Sequence, residues 1–246
     1  MKKEVEKLLQ YVQKPARYIG GELNAVVKDK DKIDIRYAFC FPDTYEIGMS
    51  HLGMKILYGL VNNREDSWCE RVFAPDNDME EQLRKNNVPL FALESGDYIK
   101  DFDMIGFTLQ YELSYTNVLN MLNLAQIPLK SSDRENLTPL ICVGGPCACN
   151  PEPITDFVDI VFLGDGEETT NQVIDLLIDC KKKGISKKEF LLKAKDITGI
   201  YVPSFYEDSY NEDGTLKNGL YAQAIFFSDN GTFDPLNDYN IGFSMA

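Results

Sequence analysis

Residues 140–168 read LICVGGPCACNPEPITDFVDIVFLGDGEE, and this stretch contains two apolar runs that each end in glycines. The first run leads into Gly144 and Gly145, and the second leads into Gly164 and Gly166. Continuous apolar runs of this length are typical of strands that are covered on both faces of a sheet. Ligands of such sheets bind beyond the carboxyl ends of the strands, where glycine lets the backbone approach closely. Both clusters are therefore candidate sites, although either one alone is also typical of an ordinary turn.

Apolar strand-like runs and amphipathic helical patterns alternate on both sides of this stretch. A capping box at Ser186 and Glu189 predicts the start of the last helix. The remaining predicted helices cover residues 1–10, 45–61, 78–87, 113–125 and 167–183. The predicted strands cover residues 33–41, 68–74, 89–93, 104–109, 140–143, 160–163 and 200–206. Residues 211–214 are typical of a hairpin turn, with residues 221–227 as the returning strand.

Repeated strand–helix units with short loops predict an α/β fold with a doubly wound, mostly parallel sheet of about six strands. Such a sheet brings the carboxyl ends of its parallel strands to one edge. We therefore expect four loops, at residues 42–43, 108–110, 144–146 and 164–166, to line one crevice for a small molecule.

Composition narrows the possible partners of the chain. Its net charge is −14 and its pI is about 4.5, so a nucleic-acid partner is not expected. No apolar run is long enough to span a bilayer and the amino terminus lacks the apolar core of a signal peptide, so we expect no membrane partner and a cytoplasmic location.

Metal-binding and catalytic patterns are weak in this sequence. Cys147 and Cys149 form a C-x-C pair without a second pair at zinc spacing, and His51 is the only histidine, so neither a protein metal site nor a catalytic residue is predicted. The phosphate-binding fingerprints are also absent, because Gly166 is followed by Glu167 and Glu168. Two carboxylates in a first helical turn favour the helix dipole and would repel a phosphate.

Four blocks of the sequence resemble the amino-terminal part of radical S-adenosylmethionine (radical SAM) proteins that carry a cobalamin-binding domain. More narrowly, the blocks are similar to an uncharacterised bacterial group in which this domain precedes a radical SAM barrel. The blocks are FPDTYEIGMSHLGMKILYGLVN (residues 41–62), GFTLQYELSYTNVLNMLNLAQIPL (106–129), VGGPCACNPEPITDFVDIVFLGDGEE (143–168) and GIYVPSFY (199–206).

The resemblance implies a Rossmann-like domain of the cobalamin-binding type, in which Gly144 and Gly145 lie against the nucleotide tail of the cofactor. It divides the chain into an amino-terminal helix and connection (residues 1–30), the cobalamin-binding-like domain (31–198) and a carboxyl-terminal appendage (199–246). Together with the strand-end positions, it gives these expected cofactor-binding residues: Asp43, Gly48, Ser50, His51, Thr108, Leu109, Gln110, Gly144, Gly145, Pro146, Gly164, Asp165, Gly166 and Glu167.

The sequence departs from the resembled proteins in two motifs. The D-x-H-x-x-G motif that supplies a histidine to cobalt is absent, so we expect any bound cobalamin not to be ligated by His51. The C-x3-C-x2-C motif that holds a [4Fe-4S] cluster for S-adenosylmethionine is absent too, because four residues separate Cys142 from Cys147 and one separates Cys147 from Cys149. We therefore expect a front domain whose partner is a radical SAM barrel. The alternative is a docking module of the same fold that binds no cofactor.

Overall fold

A six-stranded sheet forms the centre of the computed structural model, which describes residues 2–206 and 211–213. The strand order is β2-β1-β3-β4-β5-β6. The first five strands are parallel to one another, and β6 pairs with β5 in the antiparallel direction. The strands are β1 (Ile35–Phe41), β2 (Ser67–Phe73), β3 (Met104–Thr108), β4 (Leu140–Gly144), β5 (Ile160–Phe162) and β6 (Ile200–Tyr201).

Helices cover both faces of the sheet, as a doubly wound fold requires. Buried side chains of α1, α4 and α5 belong to the core on one face, and those of α3, α6 and α7 belong to the core on the other. The helices are α1 (Lys3–Leu8), α2 (Tyr45–Ser50), α3 (Leu52–Asn62), α4 (Asn77–Asn86), α5 (Tyr115–Leu124), α6 (Gly166–Lys183) and α7 (Lys187–Ala194).

Strand β1 shows how the alternation of side chains builds the two cores. Ala38 and Cys40 face the core that contains α4 and α5, whereas Tyr37 and Phe39 face the core that contains α3 and α6. The β1 strand is central and all but one of its residues are buried, so it reads as a nearly continuous apolar run.

The predicted α/β sheet is confirmed, but three elements differ from the prediction. Residues 89–93 do not form a strand of the sheet: Leu90 donates its N–H to Leu124, Leu93 donates to Arg71, and Phe91 makes an isolated bridge to Tyr98. These bonds go to three different partners, so no ladder forms. Residues 200–206 contain only the two-residue strand β6 and a 3₁₀ turn.

The third difference is a break in the helix predicted after β1. It ends at Ser50 and a new helix begins at Leu52, because His51 between them has an extended backbone with ψ of 119°. Residues 211–213 begin the predicted hairpin turn, while the strand predicted for residues 221–227 lies outside the described residues.

The carboxyl ends of β1, β3, β4 and β5 meet at one edge of the sheet, as expected from their parallel pairing. The chain leaves β1 toward β2 on one side and later returns past β1 to β3 on the other. The β1/β3 gap is therefore the topological switch point, where ligands of open α/β sheets bind. Within residues 2–206 and 211–213, no helix has the length and apolar character that a membrane span requires.

Candidate functional site

A cavity of about 320 Å³ opens at this carboxyl edge, on the face of the sheet covered by α3 and α6. Its size lies at the lower end of the range of small-molecule sites. Side chains of β1, β3, β4 and β5 form its floor, and the amino-terminal halves of α3 and α6 form its sides. Three of the four predicted loops contribute residues to it. The loop after β1 does not, and α3 takes its place.

The floor of the cavity is built by Tyr37 lying across Gly106. A Cβ atom added to Gly106 would lie 2.2 Å from the Tyr37 hydroxyl oxygen, so the glycine makes room for this side chain. Tyr37 is only 5% exposed, and its hydroxyl has no hydrogen-bond partner among the described residues. Burial raises the pKa of Tyr37 well above its usual value, so the hydroxyl keeps its proton at neutral pH.

A short chain of hydrogen bonds lines one side of the cavity. The backbone N–H of Met54 donates to His51 Nδ1 over 3.1 Å, which places the proton of the neutral ring on Nε2. His51 Nε2 then donates to Gln110 Oε1 over 3.1 Å, and Gln110 Nε2 donates to Thr108 Oγ1 over 2.6 Å. Both ring nitrogens of His51 are therefore engaged within the protein.

The loop after β4 packs tightly against the loop after β3. Gly145 has a φ of 98°, in the region that favours glycine, and a Cβ atom there would lie 2.9 Å from the carbonyl oxygen of Leu109 and 2.9 Å from Thr108 Oγ1. Gly144 and Pro146 flank it and line the cavity. A side chain at Gly145 would thus strain the protein itself, so Gly145 is a poor position for testing ligand contact.

The start of α6 forms the mouth of the cavity. Gly164, Asp165, Gly166 and Glu167 all line it, and Asp165 makes no side-chain cap of the helix. A Cβ atom on Gly166 would be in ordinary van der Waals contact with Leu57 of α3, at 3.5 Å. Gly166 can therefore carry a side chain that narrows the mouth without a clash with the protein backbone.

Four of the predicted binding residues do not line the cavity. Asp43 accepts a hydrogen bond from the Tyr111 hydroxyl at 2.8 Å, and Gly48 packs against Phe73. Ser50 donates to the carbonyl of Ile47, and Leu109 is fully buried in the opposite core. The other ten predicted residues do line it: His51, Thr108, Gln110, Gly144, Gly145, Pro146, Gly164, Asp165, Gly166 and Glu167.

Sequence reasoning missed the floor residues and the wall that α3 provides. Tyr37 and Gly106 lie inside predicted strands, where a tyrosine suggests ordinary core packing. A glycine inside a buried strand often indicates that another group approaches the backbone closely, so the sequence does indicate such a contact at Gly106. Gly53 and Leu57 of α3 also line the cavity, whereas the prediction for this helix stopped at His51.

The cysteines do not fit an iron–sulfur cluster. Cys142 is buried in β4 and burial raises its pKa, while Cys147 and Cys149 lie in the 3₁₀ turn after Gly145. Among residues 2–206 and 211–213, no three His, Cys, Asp or Glu side chains are grouped to hold a metal ion.

Comparison with known proteins identifies the family of this chain. It is 26% identical over 196 residues to an uncharacterised protein of Methanocaldococcus jannaschii, an alignment that covers 74% of this chain and 38% of the archaeal protein. The chain thus spans well under half the length of that relative. No solved structure matches it significantly. Residues 53–203, more than half of the chain, match the family described as radical SAM proteins, N-terminal, and the chain therefore belongs to that family.

Proposed function

We propose that this chain is a corrinoid-binding front domain of a radical SAM enzyme, and that its cavity holds the nucleotide tail of cobalamin. The observation that carries the proposal is the cavity itself: it lies at the switch point of the sheet and is walled by the glycine loops after β4 and β5. Glycines in the wall leave the backbone accessible to a ligand. Residues 31–198 are the proposed binding unit.

The size of the cavity fits part of a corrinoid rather than all of it. A volume of about 320 Å³ accommodates a small heterocycle with its sugar, and the macrocycle would remain outside, above the carboxyl edge of the sheet. Gly144, Gly164 and Gly166 would lie against the tail. A bound corrinoid would supply cobalt-centred chemistry, while this chain would supply the slot and its orientation.

His51 is not a cobalt ligand in this proposal. Its Nδ1 accepts the N–H of Met54 and its Nε2 bonds to Gln110, so neither nitrogen is available without breaking a bond within the protein. The absence of the ligation motif in the sequence supports the same conclusion.

Retention of cobalamin tests the proposal. The chain is mixed with hydroxocobalamin and passed through gel filtration, and we expect the red absorbance to co-elute with the protein. Gly166→Leu places a side chain in the mouth and should abolish co-elution. Gly59→Leu is the matched control, because a Cβ atom at Gly59 of α3 meets no other atom within 4 Å and Gly59 does not line the cavity. Free elution of cobalamin from the unsubstituted chain would refute the proposal.

A docking role is the second candidate, and a group of exposed apolar side chains supports it. Ile47, Leu52, Tyr111 and Leu113 follow the carboxyl ends of β1 and β3, and these four residues are between 40% and 82% exposed. Exposed apolar clusters next to a cavity are typical of surfaces that meet a partner. The partner would be the radical SAM barrel, and a [4Fe-4S] cluster and S-adenosylmethionine would belong to that barrel.

Substitutions in this exposed apolar group, which we call the rim, distinguish the two candidates. Leu52→Ser together with Leu113→Ser should weaken association with a separately produced barrel domain of a full-length relative, measured by analytical ultracentrifugation. Under the docking candidate this loss occurs although cobalamin is never retained. Unchanged association of the double variant would exclude the docking role for this rim.

A further inference from the structure

The Tyr37 hydroxyl is a polar group on the cavity floor that makes no hydrogen bond to another described residue. The side chain is 95% enclosed, yet its hydroxyl bonds to no described residue and faces the cavity between α3 and α6. Because the hydroxyl opens onto the cavity, its hydrogen bond can be made only to a molecule that occupies the cavity. Packing alone does not require the oxygen, because a phenylalanine would fill the same space.

The floor of the cavity beside Tyr37 is lined mainly by apolar side chains. Phe39 stacks on Tyr37 with a ring-centroid distance of 5.7 Å and an interplanar angle of 20°, and Phe162 and Leu57 also line the cavity. Gly106 beneath the hydroxyl presents no side chain. A ligand that reaches this floor must therefore be apolar over most of its surface and must offer one hydrogen-bonding atom at its inner end.

The hydroxyl acts as a donor toward that atom. Burial holds the phenol in its neutral form, so its proton is available at neutral pH. A ring nitrogen with an in-plane lone pair is the acceptor that a flat, largely apolar body can carry. The polar groups of the ligand would remain at the mouth, near Gly164 and Gln110.

We infer that the cavity takes a planar heteroaromatic ring end-on, and that Tyr37 is a specificity-determining residue that donates a hydrogen bond to a ring nitrogen of that ligand. The inference rests on the proposed function in treating this cavity as the ligand site, and it goes further by naming the ring chemistry that the site selects and the residue that selects it.

Two fragments of equal shape test this inference on the chain of 246 residues. Benzimidazole carries a ring nitrogen that accepts a hydrogen bond, whereas indole has a C–H at that position. Their dissociation constants are measured by ¹⁵N-resolved NMR titration at a pH where benzimidazole is uncharged. We expect benzimidazole to bind about three- to tenfold more tightly than indole, which is the range that one net hydrogen bond gives.

Tyr37→Phe should remove this preference and leave indole affinity unchanged, because the substitution takes away only an unpartnered oxygen. Folding of the variant is expected to be intact for the same reason. Tyr11→Phe is the matched control, since Tyr11 is largely exposed and does not line the cavity, and it should keep the preference.

The possible results separate this inference from the proposed corrinoid role. Equal binding of the two fragments, binding of neither, or a preference that persists in Tyr37→Phe would overturn the inference. If cobalamin is retained in gel filtration but Tyr37→Phe keeps the benzimidazole preference, only the inference fails. If the fragments behave as expected and cobalamin is not retained, the corrinoid role fails and the role of Tyr37 stands.

Discussion

His51 combines a structural role with a place in the wall of the cavity. Its extended backbone ends α2. Its Nδ1 accepts a hydrogen bond from the Met54 N–H at the start of α3, so His51 is the N-cap of that helix. His51→Ala should therefore lower the free energy of unfolding by about 1 kcal/mol, as measured by urea denaturation. His51→Asn keeps a capping oxygen and should cost less.

The same two variants test the proposed absence of histidine ligation. If cobalamin binds, its visible spectrum should be the same in His51→Ala, in His51→Asn and in the unsubstituted chain. A shift of the cobalt bands in His51→Ala would contradict the prediction, because such a shift would mean that an axial ligand had been lost.

Gly106 supports Tyr37 in a way that a methyl group would disrupt. A Cβ atom at position 106 would lie 2.2 Å from the Tyr37 hydroxyl oxygen and 2.9 Å from two ring carbons. Gly106→Ala should thus destabilise the fold by about 1–3 kcal/mol, the usual cost of overpacking a core. In the double variant with Tyr37→Phe, part of this loss should be recovered because the closest contact is gone. Additive effects in urea denaturation would show that the two residues do not press on each other.

The site residues that could be predicted from the sequence are those that directly follow a strand. The glycines at 144, 145, 164 and 166 follow apolar runs directly, so the fold class alone brings them to one edge. Tyr37 was not predictable, because its orientation across β3 depends on Gly106 in a strand that is distant in sequence. The bond between His51 and Gln110 joins residues 59 positions apart, and no local pattern announces it.

At the scale of elements, the cavity depends on how α3 and α6 are held together. Arg64, just after α3, donates to both oxygens of Asp66 at 2.9 Å and also bonds to Asp175 and Asn171 of α6. This link joins the carboxyl end of α3 to the first half of α6. It fixes the spacing of the helices while the mouth at Gly166 stays open.

Arg64→Ala should therefore loosen α6 against α3. We expect a loss of about 1–2 kcal/mol in the free energy of unfolding, since several charged hydrogen bonds are removed from a partly buried site. Lys183→Ala removes an exposed pair with Asp179 within α6 and should cost under about 0.5 kcal/mol. Equal losses in the two variants would contradict a special role for the Arg64 link.

The Arg64 link also predicts a dependence on pH. The hydrogen bond from Arg64 lowers the pKa of Asp66 below its usual value. The stabilisation from this pair is therefore present above about pH 4, the ordinary pKa of an aspartate, and is lost as the pH falls through the lowered value. Stability curves of the unsubstituted chain and of Arg64→Ala, measured between pH 7 and pH 2, should converge at the acid end.

Most elements were predicted within two residues, because the strands are buried on both faces and the helices are amphipathic. The strand predicted for residues 89–93 was wrong, and the reason is physical. The segment is apolar and buried like a strand, but its N–H groups bond to α5, to β2 and to its own turn rather than to one neighbouring strand. Burial sets the apolar pattern and does not reveal where the hydrogen bonds go.

The whole molecule divides its chemistry between the two edges of the sheet. An aspartate directly precedes each of four parallel strands: Asp34 before β1, Asp66 before β2, Asp103 before β3 and Asp159 before β5. All four pair with cationic side chains at the amino edge. The carboxyl edge carries glycines, Thr108 and the cavity instead. The residues that stabilise the fold and the residues that line the cavity therefore lie at opposite ends of the strands.

Asp159 gives the sharpest test of this separation. It is fully buried, accepts a hydrogen bond from Arg134 at 3.1 Å and the N–H of Ile141, and forms an ion pair with Lys187 at 2.7 Å. Asp159→Ala leaves two buried cations without their carboxylate, so we expect a loss of about 3–5 kcal/mol in urea denaturation. Asp34→Ala, which removes an exposed partner of Lys182, should cost under about 1 kcal/mol.

Ligand binding should respond in the opposite way. At a temperature where Asp159→Ala remains folded, its affinity for benzimidazole should equal that of the unsubstituted chain, because Asp159 lies at the edge remote from Tyr37. Gly166→Leu should lose that affinity while its unfolding midpoint changes by much less than that of Asp159→Ala. If Asp159→Ala weakened binding in its fully folded state, the two edges would be coupled through the sheet, and the cavity could not be treated as a site built on a rigid scaffold.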